Sequence, residues 1–252
     1  MRELRLVALP GIPEVTPGAS LVNLLLAALT SANQTLQAGD ILVLAQKIVS
    51  KAEGRAVALA SVTPSPRAHQ IAAEANKDPR LVELMLRESH AVLRVKPGII
   101  ITEHRLGFVM ANAGIDQSNV PGGDDTALLL PQDPDASARA LRGELGNKTD
   151  VDIGVLIIDS FGRAWRHGVT GIAIGVAGLP ALVDLRGGKD REGRVLKVTQ
   201  VAAADELAAA ASLVMGQADD GVPAVLVRGF HYARRESSVQ ELIRPEVEDL
   251  FR

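Results

Sequence analysis

Short unbroken apolar runs alternate along the chain with longer mixed segments, and only some of the latter carry helical spacing. Leu4–Ala8 reads as a strand, and Pro-rich turns then lead into a helix around Leu21–Leu29. Gly39-Asp40 marks a turn before Ile41–Ala45, a wholly apolar strand of the kind covered on both faces. Residues 67–90 read as helical, followed by short strands near 91–95, 99–102 and 107–111, and a helix at 134–146. Ile153–Ile158 is the clearest buried strand. Beyond it come an apolar run at Gly171–Ala177, a charged turn at Gly187–Arg194 and a strand near Val195–Val198. An Ala-rich helix over 202–215 and a strand at Ala224–Val227 complete the pattern. Strands outnumber helices without a regular βαβ rhythm, which points to an α+β fold of mixed sheets with flanking helices.

Composition narrows this. The 252 residues show no internal repeat or low-complexity linker, so residues 1–252 form one large domain or two intertwined ones. With 2% aromatic residues, the core must be aliphatic. A net charge of −3 gives no reason to expect nucleic acid or an anionic membrane as partner. No apolar stretch approaches the ~20 residues a membrane span needs, and the N-terminal apolar run is too short for a signal peptide. The absence of Cys rules out disulfides, thiolate catalysis and Cys-ligated metal, and it fits a cytoplasmic protein.

Four segments carry residue types suited to chemistry. In Ala113–Asp125, Asp116 and Asn119 lie three residues apart in a Gly-rich loop. A carboxylate there could hold Mg²⁺ or Mn²⁺ through phosphates, although an Asx-turn and a Gly-Gly hairpin explain the segment more simply. In Ile157–Gly168, Asp159 ends a buried strand and Ser160 adds a hydroxyl. The pair suits a metal site or a helix N-cap. Arg163, Arg166 and His167 then crowd a short loop with the only Trp, Trp165. Arg can grip phosphate or carboxylate with two prongs and Trp can stack on a ring, so this cluster suits an anionic substrate. His167 taken singly is more simply a hydrogen-bonded structural residue. Gln46, Lys47 and Lys51 follow a buried strand and either line a polar cleft, where they would neutralise phosphate, or form a solvated face. Met215–Val222 joins the Ala-rich helix to the last strand, and Gly216 suits a helix C-cap.

The familiar alternatives are missing. No G-x-x-x-x-G-K-[ST] sequence exists, so any nucleotide is held without a standard P-loop. Gly171, Gly175 and Gly178 do not match a dinucleotide fingerprint, and no G-x-S-x-G elbow is present. His69, His90, His104 and His231 show no metal-ligand spacing. The run Gly187–Arg194 reads as an exposed hairpin turn rather than a phosphate loop.

Taken in order, five motifs resemble the coenzyme F-420:L-glutamate ligase family, the γ-glutamyl ligases of the deazaflavin coenzyme. They are Leu9-Pro-Gly-Ile12; Gly39-Asp-Ile with Ser50-Lys-Ala-Glu-Gly54; Asn112-Ala-Gly-Ile-Asp-Gln-Ser-Asn-Val-Pro121; Asp159-Ser-Phe-Gly-Arg-Ala-Trp-Arg166; and Met215-Gly-Gln-Ala-Asp-Asp-Gly-Val-Pro-Ala224. Where relatives often read Asp-Thr, this chain has Asp159-Ser160, which keeps the hydroxyl.

The resemblance extends over essentially the whole chain. It implies a family-specific fold with a cleft active site, a homodimer, GTP as phosphoryl donor, two Mg²⁺ or Mn²⁺ ions, and K⁺ as a further ion. By this analogy Leu9, Pro10, Gly11, Ile12, Gln46, Lys47, Lys51 and Asn119 contact GTP. Asp116, Asp159, Ser160 and Gln217 bind metal, with Lys51, Asp116 and Asp159 carrying catalysis. The expected reaction phosphorylates a carboxylate of the deazaflavin precursor, lets L-glutamate attack the acyl phosphate, and extends the tail through γ-linkages. Arg163, Trp165, Arg166 and His167 are expected to hold the anionic acceptor or glutamate. Larger relatives carry a nitroreductase-like domain, and none is expected within these residues. Two other readings remain: a non-catalytic deazaflavin or nucleotide carrier, and a ligase of the same chemistry acting on another small carboxylate.

Overall fold

A computed structural model describes residues 3–120 and 122–249. Pro121 of the third motif, Met1, Arg2 and the last three residues lie outside the described residues. The backbone of the fold is a five-stranded mixed sheet built from β1 (Arg5–Ala8), β2 (Ile41–Ala45), β8 (Gly154–Arg163), β9 (Arg166–Ala177) and β12 (Ala224–Arg228). Its order is β1-β12-β2-β8-β9; β2 and β8 run parallel and the other neighbours antiparallel. Ile41–Leu44 and Val155–Ile157 are fully buried, as their unbroken apolar runs require.

Around the sheet pack α1 (Leu21–Ser31), α2 (Gln46–Ala52), α5 (Pro134–Thr149) and α6 (Ala203–Met215). A second, smaller hydrophobic cluster gathers α3 (Pro66–Ala75), α4 (Pro79–Arg87) and the sheet β4 (Ser89–Lys96), β5 (Ile99–His104) and β6 (Val109–Ala111). The two-stranded pair β3 (Ala56–Ala58) and β7 (Thr126–Leu128) joins it through Ala127 and Val57. A last pair, β10 (Val183–Asp184) and β11 (Gln200–Val201), lies on the surface. The mixed sheets with flanking helices are the α+β architecture expected from the sequence. No helix among the described residues is long and apolar enough to cross a membrane.

Several boundaries differ from the sequence reading. The helical stretch 67–90 is two helices: Asn76 turns left-handed after α3, and Asp78 with Pro79 restarts the chain as α4. Val195–Val198 forms no strand; Val195 makes one bridge with Lys189, and the pairing segment is Gln200–Val201. The exposed hairpin at Gly187–Arg194 is present, closed by Leu196 N–H to Gly188 O at 2.8 Å. Helix α2, which carries both lysines, was not anticipated.

The largest revision concerns Asp159. It does not end its strand, because β8 continues to Arg163 and turns through Ala164-Trp165 directly into β9. No helix follows for Asp159-Ser160 to cap. Since β9 is an edge strand, its outward N–H groups need partners. Helices α5 and α6 supply them: Asp135 Oδ1 accepts from Val176 N at 2.8 Å and Asp205 Oδ1 from Ala173 N at 2.9 Å. Ser212 Oγ accepts from Gly171 N at 3.3 Å. A Cβ at Gly171 would lie 2.4 Å from Ala208 O, and one at Gly175 would lie 2.4 Å from Pro134 O. Both glycines therefore let a helix backbone approach the strand and clamp the hairpin that carries Asp159.

Candidate active site

A cleft of about 660 Å³ opens where β2, β8 and the C-terminal end of α6 meet the 116–119 loop. Helix α2 starts immediately after β2, so Gln46 and Lys47 stand at the strand's end and Lys51 follows one turn later on the same helical face. Both lysines line the cleft. Lys47 Nζ donates to Ser118 Oγ at 2.9 Å and Ser118 O at 3.1 Å, and lies 2.7 Å from Asp116 Oδ2. Lys51 Nζ donates to Glu14 Oε1 at 2.6 Å and to Asn119 O at 2.7 Å. Gln46 is buried; its Oε1 accepts from Ser50 Oγ, and its Nε2 donor has no partner among the described residues.

The loop bearing Asp116 is shaped by three successive left-handed residues, Asn112 (φ 53°), Ala113 (φ 53°) and Gly114 (φ 63°). Ala113 is a buried non-glycine in that region, a conformation held only because surrounding contacts fix it. The loop then bridges to β7, with Asp116 N–H to Leu128 O at 3.0 Å. Asp116 Oδ1 accepts from Ser118 N and Ser118 Oγ, each at 2.8 Å. The Asx-turn expected from the sequence is present, Asp116 lines the cleft, and the turn aims Oδ2 at Lys47.

β8 also presents Asp159 and Ser160 to the cleft, and the turn after α6 presents Gln217. Ser160 Oγ donates to Gln217 Oε1 at 2.9 Å. Gly216 C-caps α6 with φ 74°, as its type suggested.

Charge in the cleft is divided unevenly. Burial raises the Asp116 carboxyl, but Lys47 and the two Ser118 donors outweigh it and hold the group below the ordinary carboxylate value. For Asp159, burial pushes the carboxyl up to about 7; the Ser160 N–H opposes this and the nearby Asp116 charge adds to it. The residue keeps some contact with the cleft while its carboxyl is enclosed by protein.

The side-chain donors of Asp116, Asp159, Ser160 and Gln217 that line this cleft are hard oxygens: carboxylates, a hydroxyl and an amide. This set suits Mg²⁺ or Mn²⁺ rather than a soft ion. No group of three or more His, Asp or Glu at metal-ligand distances exists among the described residues. A cation would therefore take further ligands from phosphate oxygens and water, as Mg²⁺ usually does. The unpartnered Gln46 Nε2 offers a donor to such an acceptor-rich ligand.

The remaining expected residues fall elsewhere. Ile12 lines the cleft, whereas Leu9 is core and Pro10 and Gly11 are exposed outside the lining. Arg163, Trp165, Arg166 and His167 stand exposed at the tip of the β8–β9 hairpin and do not line the cleft. Glu14 and Ser118 were missed by the sequence reading. Glu14 could have been noticed as the lone charge between Leu6 and Gly39, and Ser118 as the second residue after an Asx-turn aspartate.

Residues 11–229 match the family model described as F420-0:Gamma-glutamyl ligase. The chain is 47% identical over 251 residues to the Coenzyme F420:L-glutamate ligase of Methanothermobacter thermautotrophicus, covering 99% of each chain. It is 47% identical over 253 residues to that of Methanopyrus kandleri, covering 99% of this chain and 98% of the other. With the Halobacterium salinarum protein of the same name it shares 44% over 239 residues, 92% of this chain and 90% of the other. A family match across most of the chain, joined to near full-length identity at this level, places the chain in the F420-0:gamma-glutamyl ligase family.

Proposed function

We propose that the protein is a cytoplasmic, GTP-dependent ligase that joins L-glutamate to the deazaflavin coenzyme F-420 precursor and then extends the tail by γ-linkage. The observation that carries this reading is the convergence of Lys47, Lys51, Asp116, Asp159, Ser160 and Gln217 on one cleft. The activity named for the relatives supplies the substrates.

A free carboxylate is a poor acyl donor because its oxygen is a poor leaving group. In the proposed reaction a carboxylate oxygen of the acceptor attacks the γ-phosphorus of GTP, and GDP departs. The glutamate amine then attacks the acyl carbon, inorganic phosphate departs with its oxygen, and the amine loses a proton to give the amide. Lys47 and Lys51 would bind the phosphates, with Asn119 and Gln46 fixing the nucleotide. Asp116, Asp159, Ser160 and Gln217 would hold divalent cations. When bound, those ions supply charge neutralisation to the transferring phosphoryl group. The exposed hairpin tip, with Arg163, Trp165, Arg166 and His167, is assigned the anionic acceptor or glutamate where either extends beyond the cleft. A homodimer and a K⁺ ion belong to the same reading.

The test is incubation with GTP, Mn²⁺, L-glutamate and the tail-less deazaflavin, with products read by mass. A glutamyl increment with stoichiometric GDP is expected. GDP release without the increment would refute the acceptor assignment and favour another small carboxylate; no turnover would favour a carrier.

A further inference from the structure

The charged groups assigned to the nucleotide and its cation are already engaged with one another. Lys47 Nζ is 2.7 Å from Asp116 Oδ2, and Asp116 Oδ1 is held by both Ser118 donors at 2.8 Å. Neither oxygen of Asp116 is without a partner. The side chains of Lys47 and Asp116 are each 28% exposed, so water screens their attraction only in part. Lys51 repeats the arrangement one turn on, between Glu14 and the Asn119 carbonyl. The ammonium of Lys47 therefore occupies one of the approaches to Asp116 Oδ2 and matches the charge that a metal ion there would match.

We propose that Lys47 is a built-in counter-ion of Asp116, and that a divalent cation gains Asp116 only when nucleotide phosphates draw the Lys47 ammonium away. The inference rests on the metal and nucleotide reading above and adds an order to it. A four-carbon side chain anchored on the first turn of α2 can exchange one anion for another within the same cleft, and a phosphate competes well for a compact ammonium. As Lys47 leaves, the carboxylate regains its need for a positive charge, and the cation accompanying the nucleotide meets it. Metal and nucleotide then enter as one unit, and metal presented by itself meets a site whose charge is already matched.

The experiment is titration with Mn²⁺, followed by the electron paramagnetic resonance signal of the free ion, on the full chain with and without saturating GDP. Wild type should bind Mn²⁺ at least about tenfold more tightly with GDP than without, ~1.4 kcal/mol of coupling. Lys47→Met should bind Mn²⁺ without nucleotide about tenfold more tightly than wild type does, and Lys47→Arg should not. Adding Asp116→Asn to Lys47→Met should abolish the gain. Lys47→Gln serves if the Met variant does not fold, with the same expected direction. Equal Mn²⁺ affinity of wild type with and without GDP overturns the coupling alone, as does a Met or Gln variant that binds no more tightly. Failure of wild type to bind Mn²⁺ even with GDP overturns the metal and nucleotide reading, and this inference with it.

Discussion

Replacing Asp159 with asparagine should stabilise the metal-free protein, by an amount that grows as the pH rises. The carboxyl is pushed from an ordinary 3.8 to about 7, chiefly by burial. Between those values the folded chain holds a proton that the unfolded chain releases, so ionisation favours unfolding and stability falls with increasing pH. The penalty begins above the unfolded value and levels off above about 7. Each pH unit of the gap is worth about 1.36 kcal/mol, which gives an upper bound of ~4 kcal/mol at pH 8 and ~1.6 kcal/mol at pH 5. Contact of the residue with the cleft lowers both, to about 2 and about 1 kcal/mol. Asparagine keeps the shape and removes the charge. Urea denaturation of wild type and Asp159→Asn in the presence of EDTA, at pH 5 and pH 8, reads the difference directly. For a chain of this size the larger value raises the thermal midpoint by about 6 °C. A variant that is destabilised at pH 8, or that gains the same amount at both pH values, refutes the reasoning. Asp116→Asn supplies the opposite sign: its carboxyl is held low by Lys47 and Ser118, so its stabilising contribution is present above the unfolded value and lost as pH falls below it.

Gly171→Ala should cost about 2–3 kcal/mol, because the new Cβ would meet the Ala208 carbonyl oxygen at 2.4 Å and must push α6 off β9; chemical denaturation checks it. Glu88 is held at about 2: burial raises it, but His104, Arg55 and Arg105 more than compensate. Glu88→Gln should therefore cost about 2–3 kcal/mol at pH 7, with the difference from wild type shrinking as pH drops from 4.5 toward 2 in acid-denaturation curves. Trp165 sits at φ 59° in the hairpin turn, a conformation glycine adopts freely. Trp165→Gly should keep the fold, so a rise in KM for acceptor or glutamate at unchanged GDP affinity would report the side chain alone. Arg166→Ala should also raise KM for one of these substrates, and full activity at subsaturating concentrations would count against the tip's assigned role.

The buried strands were the most legible part of the sequence. Ile41–Ala45 and Ile153–Ile158 are apolar without interruption because both faces are covered, and they form the centre of the sheet. What failed was the reading of strand ends. Past Ile158 the chain becomes polar, which looks like a loop, yet β8 continues as an exposed ribbon whose pairing is backbone to backbone with β9. Side-chain pattern carries little information there. Helix α2 was hidden for another reason: seven residues are too few for a periodic stripe, and its N-cap Ala45 offers no side-chain signal. The break between α3 and α4 was readable in principle, since Asn76, Asp78 and Pro79 are a C-cap, an N-cap and a first-turn proline in sequence. In the site, residue types were legible but pairings were not. Nothing in spacing alone tells that Lys47 meets Asp116 across 69 positions, or that Glu14 meets Lys51.

Those pairings decide how the cleft carboxylates Asp116 and Asp159 differ. Asp116 and Asp159 are the same chemical group, near enough for each charge to be felt by the other. Lys47 sits on Asp116 and sends that group down, whereas Asp159 forms no ion pair among the described residues and is sent up by burial. Near neutral pH the first is ionised and the second is poised between its two forms. A cation entering the cleft with a nucleotide would lower the Asp159 carboxyl by direct attraction and take over the stabilisation of Asp116 from Lys47. Cation binding would then release about half a proton at pH 7 and closer to one below it, and isothermal titration in buffers of different ionisation enthalpy can count it. Release should fade above about pH 8, where Asp159 is already ionised, and be absent in Asp159→Asn. A proton count that does not change with either would mean that Asp159 is not among the groups meeting the cation.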